Sequence, residues 1–160
     1  MITQLISQSG YGVVERTPEE IREAIQQAQE IMETLSQVEI PVIHHFSDGI
    51  YGREIFIPKG TLFTGKIHKQ TDLSCCLSGL CEILTPNGWI KCEAGDVVLS
   101  RKGVKPIARA LEDTRWLTSH ATTLTDLDEI DAFLFEDEGP CPLDFKTGVP
   151  VLSTISEGVI

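Results

Sequence analysis

The chain has 160 residues, of which 41% are hydrophobic and 23% charged, and its formal net charge is −11 at pH 7. This length and composition predict one soluble domain with a substantial core, and no apolar run approaches the roughly 20 residues that cross a bilayer. Because nucleic-acid phosphates would repel so acidic a chain, we expect neither a nucleic-acid nor a membrane partner.

The cysteines and the first residues bear on the cellular compartment. Cysteines occur, without any C-x-x-C pair, at Cys75, Cys76, Cys81, Cys92 and Cys141. An odd number without paired spacing predicts reduced thiols rather than a disulfide framework. Neighbouring Cys75 and Cys76 point to opposite faces of a strand, so we interpret them as packing residues. The N-terminal segment has no basic region and no cleavable apolar core, which predicts a cytoplasmic protein.

Residues 17–36 predict an amphipathic helix. Thr17 can cap its start, Pro18 suits the first helical position, and Glu20 completes a capping box. The apolar positions that follow at helical spacing are Ile21, Ile25, Ala28, Met32 and Leu35. We expect this face to pack on the outside of the following barrel, with a partner helix at a dimer interface as the alternative.

Residues 41–122 predict a barrel or sandwich of antiparallel strands. Apolar runs four to eight residues long alternate with Gly, Pro, Asn and Asp turn signals. Side chains alternate between the two faces of a strand. In the strand at 50–57, Tyr51 and Arg53 therefore share one face, and Glu54 lies on the other.

Residues 125–160 predict a short acidic helix and a tail, which complete a single domain over residues 1–160. The apolar positions of this helix are Leu127, Ile130 and Leu134. Residues 136–142 are acidic and contain Gly and Pro, which predicts a solvated turn. The tail from residue 143 is too apolar to be free, so we expect it to lie along the barrel or along a neighbouring subunit.

The glycine spacing between residues 60 and 103 carries a resemblance. Two motifs occur here. The first consists of Gly60, Lys66, His68, Asp72 and Gly79, and the second of Gly95, Arg101, Gly103 and Pro106. Over residues 41–121 the chain resembles the cupin superfamily. The resemblance implies a mainly-β fold, a double-stranded β-helix or jelly-roll barrel with an internal pocket, to which the two helices would be added. Residues 44–69 also look like small cupin-like proteins encoded by bacteriophages. This resemblance implies that the protein is located in the cytoplasm of a bacterium or of a phage-infected host cell.

The resemblance also bears on a metal site. In metal-binding cupins, histidines and a glutamate of these motifs hold an ion. The corresponding positions here carry Lys66, His68, Asp72 and Pro106. The predicted metal donors are His68, His120, His44 or His45, and a carboxylate from Glu54 or Asp72. Imidazole and carboxylate ligands suit a divalent transition metal such as zinc, iron, nickel or manganese.

A metal-free interpretation uses many of the same residues. The predicted ligand-binding side chains are Tyr51, Arg53, Lys66, His68 and Asp72. Arginine offers a bidentate fork and lysine a point charge to a carboxylate or a phosphate. Residues 52–115 carry ten basic and seven acidic side chains, and this local charge of +3 favours an anionic ligand.

Three functions therefore stay open at the level of the sequence. The first is a binding protein whose polar, locally cationic barrel pocket holds a small anionic ligand. The second is a metal-dependent enzyme of the oxidation or isomerisation type, with a site centred on His68. The third is a non-catalytic structural or partner-binding phage protein. Cupins commonly pair edge to edge, so the resemblance also implies a homodimer.

Overall fold

A computed structural model describes residues 17–139 and 143–150, which form two helices and nine strands. The helices are α1 (Pro18–Glu33) and α2 (Leu127–Leu134). The strands are β1 (Val42–Ser47), β2 (Ile50–Ile57), β3 (Leu62–Thr64), β4 (Asp72–Ser78), β5 (Leu80–Thr85), β6 (Gly88–Glu93), β7 (Val97–Ser100), β8 (Ile107–Ala110) and β9 (Thr114–Ala121). Within the described ranges, no helix is long and apolar enough to cross a membrane.

The strands form two facing antiparallel sheets. One sheet has the order β1-β2-β9-β4-β7 and the other the order β3-β8-β5-β6. The chain therefore crosses between the sheets several times, and strands that pair are often distant in sequence, as β2 and β9 are. This connectivity is a jelly roll, in which two Greek keys enclose an interior between two sheets. The predicted fold class, a mainly-β jelly roll with an N-terminal and a C-terminal helix, is confirmed.

Both helices start at side-chain caps. The Thr17 hydroxyl accepts a hydrogen bond from the backbone N–H of Glu20 at 3.2 Å, and the Glu20 carboxylate accepts one from the Thr17 N–H at 2.8 Å. This is the predicted capping box, which satisfies N–H groups that the first turn leaves unpaired. Helix α2 begins at Leu127, two residues after the predicted start at Thr125, because the Asp126 carboxylate caps it by accepting two backbone N–H groups at 3.0 Å each.

The four glycines of the two motifs share one kind of backbone conformation. Gly60, Gly79, Gly95 and Gly103 all have positive φ angles. Gly79 is the most constrained, because an added Cβ would lie 2.2 Å from the carbonyl oxygen of Asp113. Only glycine fits where the backbone passes this closely between β4 and β5.

Strand β3 ends at Thr64, and Lys66 and His68 lie in the loop that follows it. The Gly65 N–H donates to the Pro106 carbonyl at 3.0 Å. Pro106 has no N–H to return the bond, so the ladder between β3 and β8 ends there. Both loop side chains nevertheless reach the barrel interior, as the resemblance implies.

The described cysteines are free thiols, and three of them pack together. Cys76, Cys81 and Cys92 form a buried apolar cluster between the sheets. Burial, with a smaller contribution from the neighbouring thiols, raises the pKa of Cys81 to about 12. A thiol that stays protonated is a poor nucleophile, which agrees with a packing role.

Candidate functional site at the polar end of the barrel cavity

A cavity of about 410 Å³ lies between the two sheets. Most of its wall is apolar and includes Ile55, Ile57, Phe63, Ile83, Val98 and Trp116. Both sheets contribute, because inward side chains alternate with outward ones along every strand. The predicted polar pocket is therefore polar over only part of its wall.

The cationic and imidazole side chains of the cavity wall are Arg53, Lys66, His68, Arg101 and His120, and the thiol of Cys81 also lines it. In the part of the chain that the structure describes, no aspartate or glutamate lines this cavity. The wall thus presents cationic and imidazole groups but no carboxylate to a bound molecule, although the whole chain is strongly acidic.

Four of these basic side chains converge at one end of the cavity, around the rings of Phe135 and Phe145. Lys66 Nζ lies 5.8 Å and 5.6 Å from the two ring centroids, and Arg53 Cζ lies 4.8 Å from that of Phe145. The His68 ring packs edge-on against Phe135 at 5.1 Å between centroids. We call Arg53, Lys66, His68 and His120 the polar end of the cavity.

A buried carboxylate connects the two histidines of the polar end. His68 Nδ1 donates a hydrogen bond to Asp72 Oδ2 at 2.6 Å. His120 Nδ1 lies 2.8 Å from Asp72 Oδ1, but its angle is unfavourable, and among the described residues this nitrogen has no hydrogen-bond partner. One carboxylate thus bridges two imidazoles, by a hydrogen bond on one side and a close contact on the other.

The environment of Asp72 determines the ionisation of this cluster. The exposed side-chain fractions are 10% for His68, 2% for Asp72 and 1% for His120. Burial acts to raise the pKa of Asp72, but the imidazoles of His120 and His68 outweigh it and hold that pKa below its usual value. Asp72 is therefore ionised at neutral pH. In the neutral form of His68, Nδ1 carries the donated proton and Nε2 keeps a lone pair.

Asp72 and Tyr51, both predicted as ligand-binding residues, lie outside the cavity wall. Tyr51 is fully buried against α2, and its ring stacks on that of His120 at 5.8 Å between centroids. Burial raises the pKa of Tyr51 to about 12, so its phenol is neutral. These two residues position the histidines from behind rather than contact a bound molecule.

His44, a predicted metal donor, lies on the far side of Tyr51. His44 Nε2 is 2.7 Å from the carbonyl of Lys146, which can only accept, so this nitrogen donates. The neutral ring then accepts at Nδ1 from the Tyr51 hydroxyl at 2.8 Å. Both ring nitrogens are engaged, and the structure does not bring His44 to His68 and His120.

Glu54, the other predicted donor, lies on the opposite face of β2. Its carboxylate accepts from His45 Nε2 at 2.9 Å and from Arg115 Nε at 2.8 Å. Burial acts to raise the pKa of Glu54, but the hydrogen bonds from His45 and Arg115 hold it below its usual value. This placement follows from the alternation along β2, which directs Arg53 into the cavity and Glu54 away from it.

The two cations of the polar end are held from outside the cavity. Lys66 Nζ donates to both carboxylate oxygens of Asp131 on α2, at 2.7 Å each. Arg53 Nη2 donates to the carbonyl of Phe145 at 3.3 Å. The partner carboxylate of Lys66 does not itself line the cavity, so Lys66 is oriented without an acidic group facing a bound molecule.

Residues 143–150, which we call the cover segment, close the polar end. Leu143 and Phe145 line the cavity, and the Ile40 N–H donates to the Gly148 carbonyl at 3.0 Å. Gly148 has a φ of 72°, and an added Cβ would lie 1.7 Å from the Ile40 carbonyl oxygen. The expectation that the tail lies along the barrel is confirmed for these eight residues, and residues 151–160 lie outside the described part.

The predicted solvated turn at 136–142 is wrong for Glu138. Its carboxylate accepts from Lys105 Nζ at 2.5 Å and from the Ile67 N–H at 2.9 Å. The physical reason is the burial of Lys105, which is 3% exposed and needs a counter-charge. Glu138 thereby fixes the loop that carries Lys66 and His68.

Sequence reasoning missed Phe135, Phe145 and Asp131. Their only local signal was the apolar character of the segments around them, which predicted packing but not where they would pack. Arg53, Lys66, His68 and His120, which the sequence analysis named as candidate site residues, all line the cavity.

The donors at the polar end fit a metal ion. One atom each of His68, Asp72 and His120 lie within 4.8 Å of one another. Ligand distances of about 2.0–2.2 Å place two donors on one ion at most about 4.4 Å apart, so only a small closing movement is required. Two neutral imidazoles and one carboxylate form a donor set of transition-metal sites, and the unsatisfied His120 Nδ1 agrees with it.

No protein-family model matches this sequence, and no curated protein matches it. Solved structures with a similar fold include the Cupin_2 domain of an XRE family transcriptional regulator from Enterobacter cloacae, with 13% identity, a TM-score of 0.45, and coverage of 51% of this chain and 95% of that one. A putative ethanolamine utilization protein Q from Salmonella typhimurium has 12% identity, a TM-score of 0.46, and coverage of 53% and 71%.

A third similar structure is the Cnp3 cupin domain of Schizosaccharomyces pombe, with 16% identity, a TM-score of 0.45, and coverage of 62% of this chain and 70% of that one. Two of these three structures are named as cupin domains, and all three are at most 16% identical to this chain.

Proposed function

We propose that this protein binds a small anionic molecule inside the barrel, with the anionic group at the polar end. One observation carries the proposal. Over the residues described, the cavity wall contains arginine, lysine and histidine side chains but no carboxylate. Such a wall attracts an anion through the local field even though the net charge of the chain is −11.

The geometry of the polar end supplies the donors that an anion requires. Arg53 offers a planar fork and Lys66 a point charge, and both lie against the rings of Phe145. Hydrogen bonds to a charged group in a site that excludes water are stronger than neutral ones. The rings of His68 and His120 pack edge-on against Phe135, at 5.1 Å and 5.9 Å between centroids.

Calorimetric titration of the full chain with acetate, benzoate and inorganic phosphate tests the proposal. We expect binding of at least one of these anions, and roughly tenfold weaker binding by Lys66→Met, because the variant loses the charge but keeps the stem. Lys146→Met is the matched control, since Lys146 pairs with Asp128 at 2.7 Å on the surface and does not line the cavity. Equal binding by both variants, or no binding by the wild type, would contradict the proposal.

A metal-dependent activity is the second candidate, and the cluster of His68, Asp72 and His120 favours it. A bound transition metal would supply Lewis-acid polarisation of an oxygen group that reaches the polar end, as an oxidation or isomerisation requires. The chain itself would hold the ion with these three side chains and orient the molecule with Arg53 and Lys66.

Elemental analysis of untagged protein purified without chelator separates the two candidates. Near one equivalent of zinc, iron, nickel or manganese, lost in His68→Ala, supports the metal site. His45→Ala is the control, because His45 is 52% exposed and pairs with Glu54 on the outer face. An absence of metal in both the wild type and His45→Ala rejects this candidate and leaves anion binding untouched.

A further inference from the structure

We infer that the ligand is an amphipathic monocarboxylate, whose carboxylate lies at the polar end and whose hydrocarbon body runs along the barrel. This inference rests on the proposed function, and it names the chemical class of the anion. It follows from the unequal distribution of polar groups along the cavity.

The inward-facing residues of strand β9 give an estimate of the length of the cavity. Trp116, Thr118 and His120 all line it, because they are two residues apart and share one face. With a rise of about 3.3 Å per residue, Trp116 and His120 are roughly 13 Å apart along the strand. That distance fits an extended chain of about ten carbons, given single bonds of about 1.5 Å that zigzag.

The wall at the far end of the cavity is largely apolar. Trp116, Ile83, Val98 and Phe63 are apolar parts of its wall. We call this region the apolar end.

The hydroxyls midway along the cavity are already used. Ser74 Oγ lies 3.0 Å from both Ser100 Oγ and Thr118 Oγ1, so it hydrogen-bonds to each of them. Sugar hydroxyls would have to compete with these bonds for the few polar groups of this wall, and any that stay unpaired after losing their water cost free energy. A hydrocarbon body gains free energy from the same burial.

The polar end favours one negative charge on a flat group. The rings of Phe135 and Phe145 contact each other edge-on at 5.8 Å between centroids, so no group fits between them. A planar carboxylate beside Phe145 can accept from both Arg53 and Lys66, which lie against that ring. A phosphate dianion is larger and costs more to desolvate beside an apolar wall. The buried Asp72, ionised behind the histidines, would add repulsion against a second negative charge.

Titration of the full chain with straight-chain carboxylates from acetate to dodecanoate tests this inference. Affinity should rise roughly threefold to fourfold for each added methylene, because each buries more apolar surface. The increase should stop near ten carbons, where the cavity ends. Primary amides of the same lengths should bind at least tenfold more weakly, since they carry no charge.

Two variants separate the contributions of the head and the body. Lys66→Met should weaken all the carboxylates by a similar factor and leave the length dependence unchanged. Val98→Phe, which fills space at the apolar end, should shift the optimum to shorter chains and leave butyrate binding unchanged. A misfolded variant would not give this shift.

The outcomes distinguish the failure of the inference from that of the proposed function. Carboxylates that bind better than amides but with no dependence on length would overturn the inference and leave anion binding intact. Tighter binding of inorganic phosphate than of every carboxylate would do the same. If neither carboxylates nor phosphate bind, both are rejected.

Discussion

The two ends of the barrel cavity are built by different means. The apolar end consists of strand side chains from both sheets, such as Trp116 and Ile83, which hold their places by packing. The polar end combines Arg53 of β2 and His120 of β9 with the loop that carries Lys66 and His68. Its groups are held by ion pairs and hydrogen bonds, including those of Asp72 and Asp131. Packing between the sheets thus determines the volume of the cavity, while paired polar groups on strands and on one loop determine its charge.

Removing the largest side chain of the apolar end should give the largest loss of stability. Trp116→Ala is expected to lower the free energy of unfolding by about 3 kcal/mol, the lower end of the range for such truncations, because part of the ring already faces the cavity. Denaturant unfolding followed by circular dichroism measures this change. Trp89→Ala is the control, since Trp89 stacks on Arg109 at 5.0 Å away from the cavity and should cost about 1 kcal/mol. Equal losses in the two variants would contradict the packing role of Trp116.

Neutralising Asp72 tests the polar end. Asp72→Asn should lower the free energy of unfolding by about 2 kcal/mol at pH 7, because the two buried imidazoles lose the negative charge beside them and one of the two acceptor oxygens. The folded pKa of Asp72 lies below the ordinary value of 3.8. Its contribution is therefore fully present above pH 3.8 and is lost as the pH falls through the lower folded value. Unfolding free energies measured from pH 2 to 7 should show this acid loss in the wild type. If the Asp72→Asn variant lost the same amount of stability at acid pH, a group other than Asp72 would be the cause.

Replacing Tyr51, which packs against His120 behind the polar end, should lower the free energy of unfolding less, and with the opposite pH dependence. Tyr51→Phe removes the hydroxyl that donates to His44 and should cost about 1 kcal/mol at pH 7. Because the pKa of Tyr51 is raised from 10.0 to about 12, its contribution is fully present below pH 10 and is lost as the pH rises to 12. Stability measured between pH 9 and 12 should therefore fall more steeply for the wild type than for the variant. Parallel curves would contradict the buried neutral phenol.

The sequence allowed antiparallel strands to be predicted, because hairpin signals depend on local backbone chemistry, and the glycine spacing carried the resemblance that implied the jelly roll. Alternation along β2 is also local, so it separated Arg53 from Glu54, but it did not indicate which of the two faces the interior. The position of Phe145 could not be predicted, because a short apolar segment carries no signal of where it will pack. Likewise, nothing near Glu138 in sequence announces the buried Lys105, which lies 33 residues away. The homodimer stays a prediction that measurement of the mass in solution can test.

The placement of the two tryptophans has an optical consequence. The chain contains only Trp89 and Trp116, and Trp116 lines the cavity while Trp89 lies over Arg109 outside it. In a Trp89→Phe protein, the indole fluorescence would come from a single ring in the cavity wall. Its emission maximum should move to shorter wavelength when a hydrocarbon body displaces water from the barrel. The protein thus carries a built-in reporter of cavity occupancy that requires no added dye.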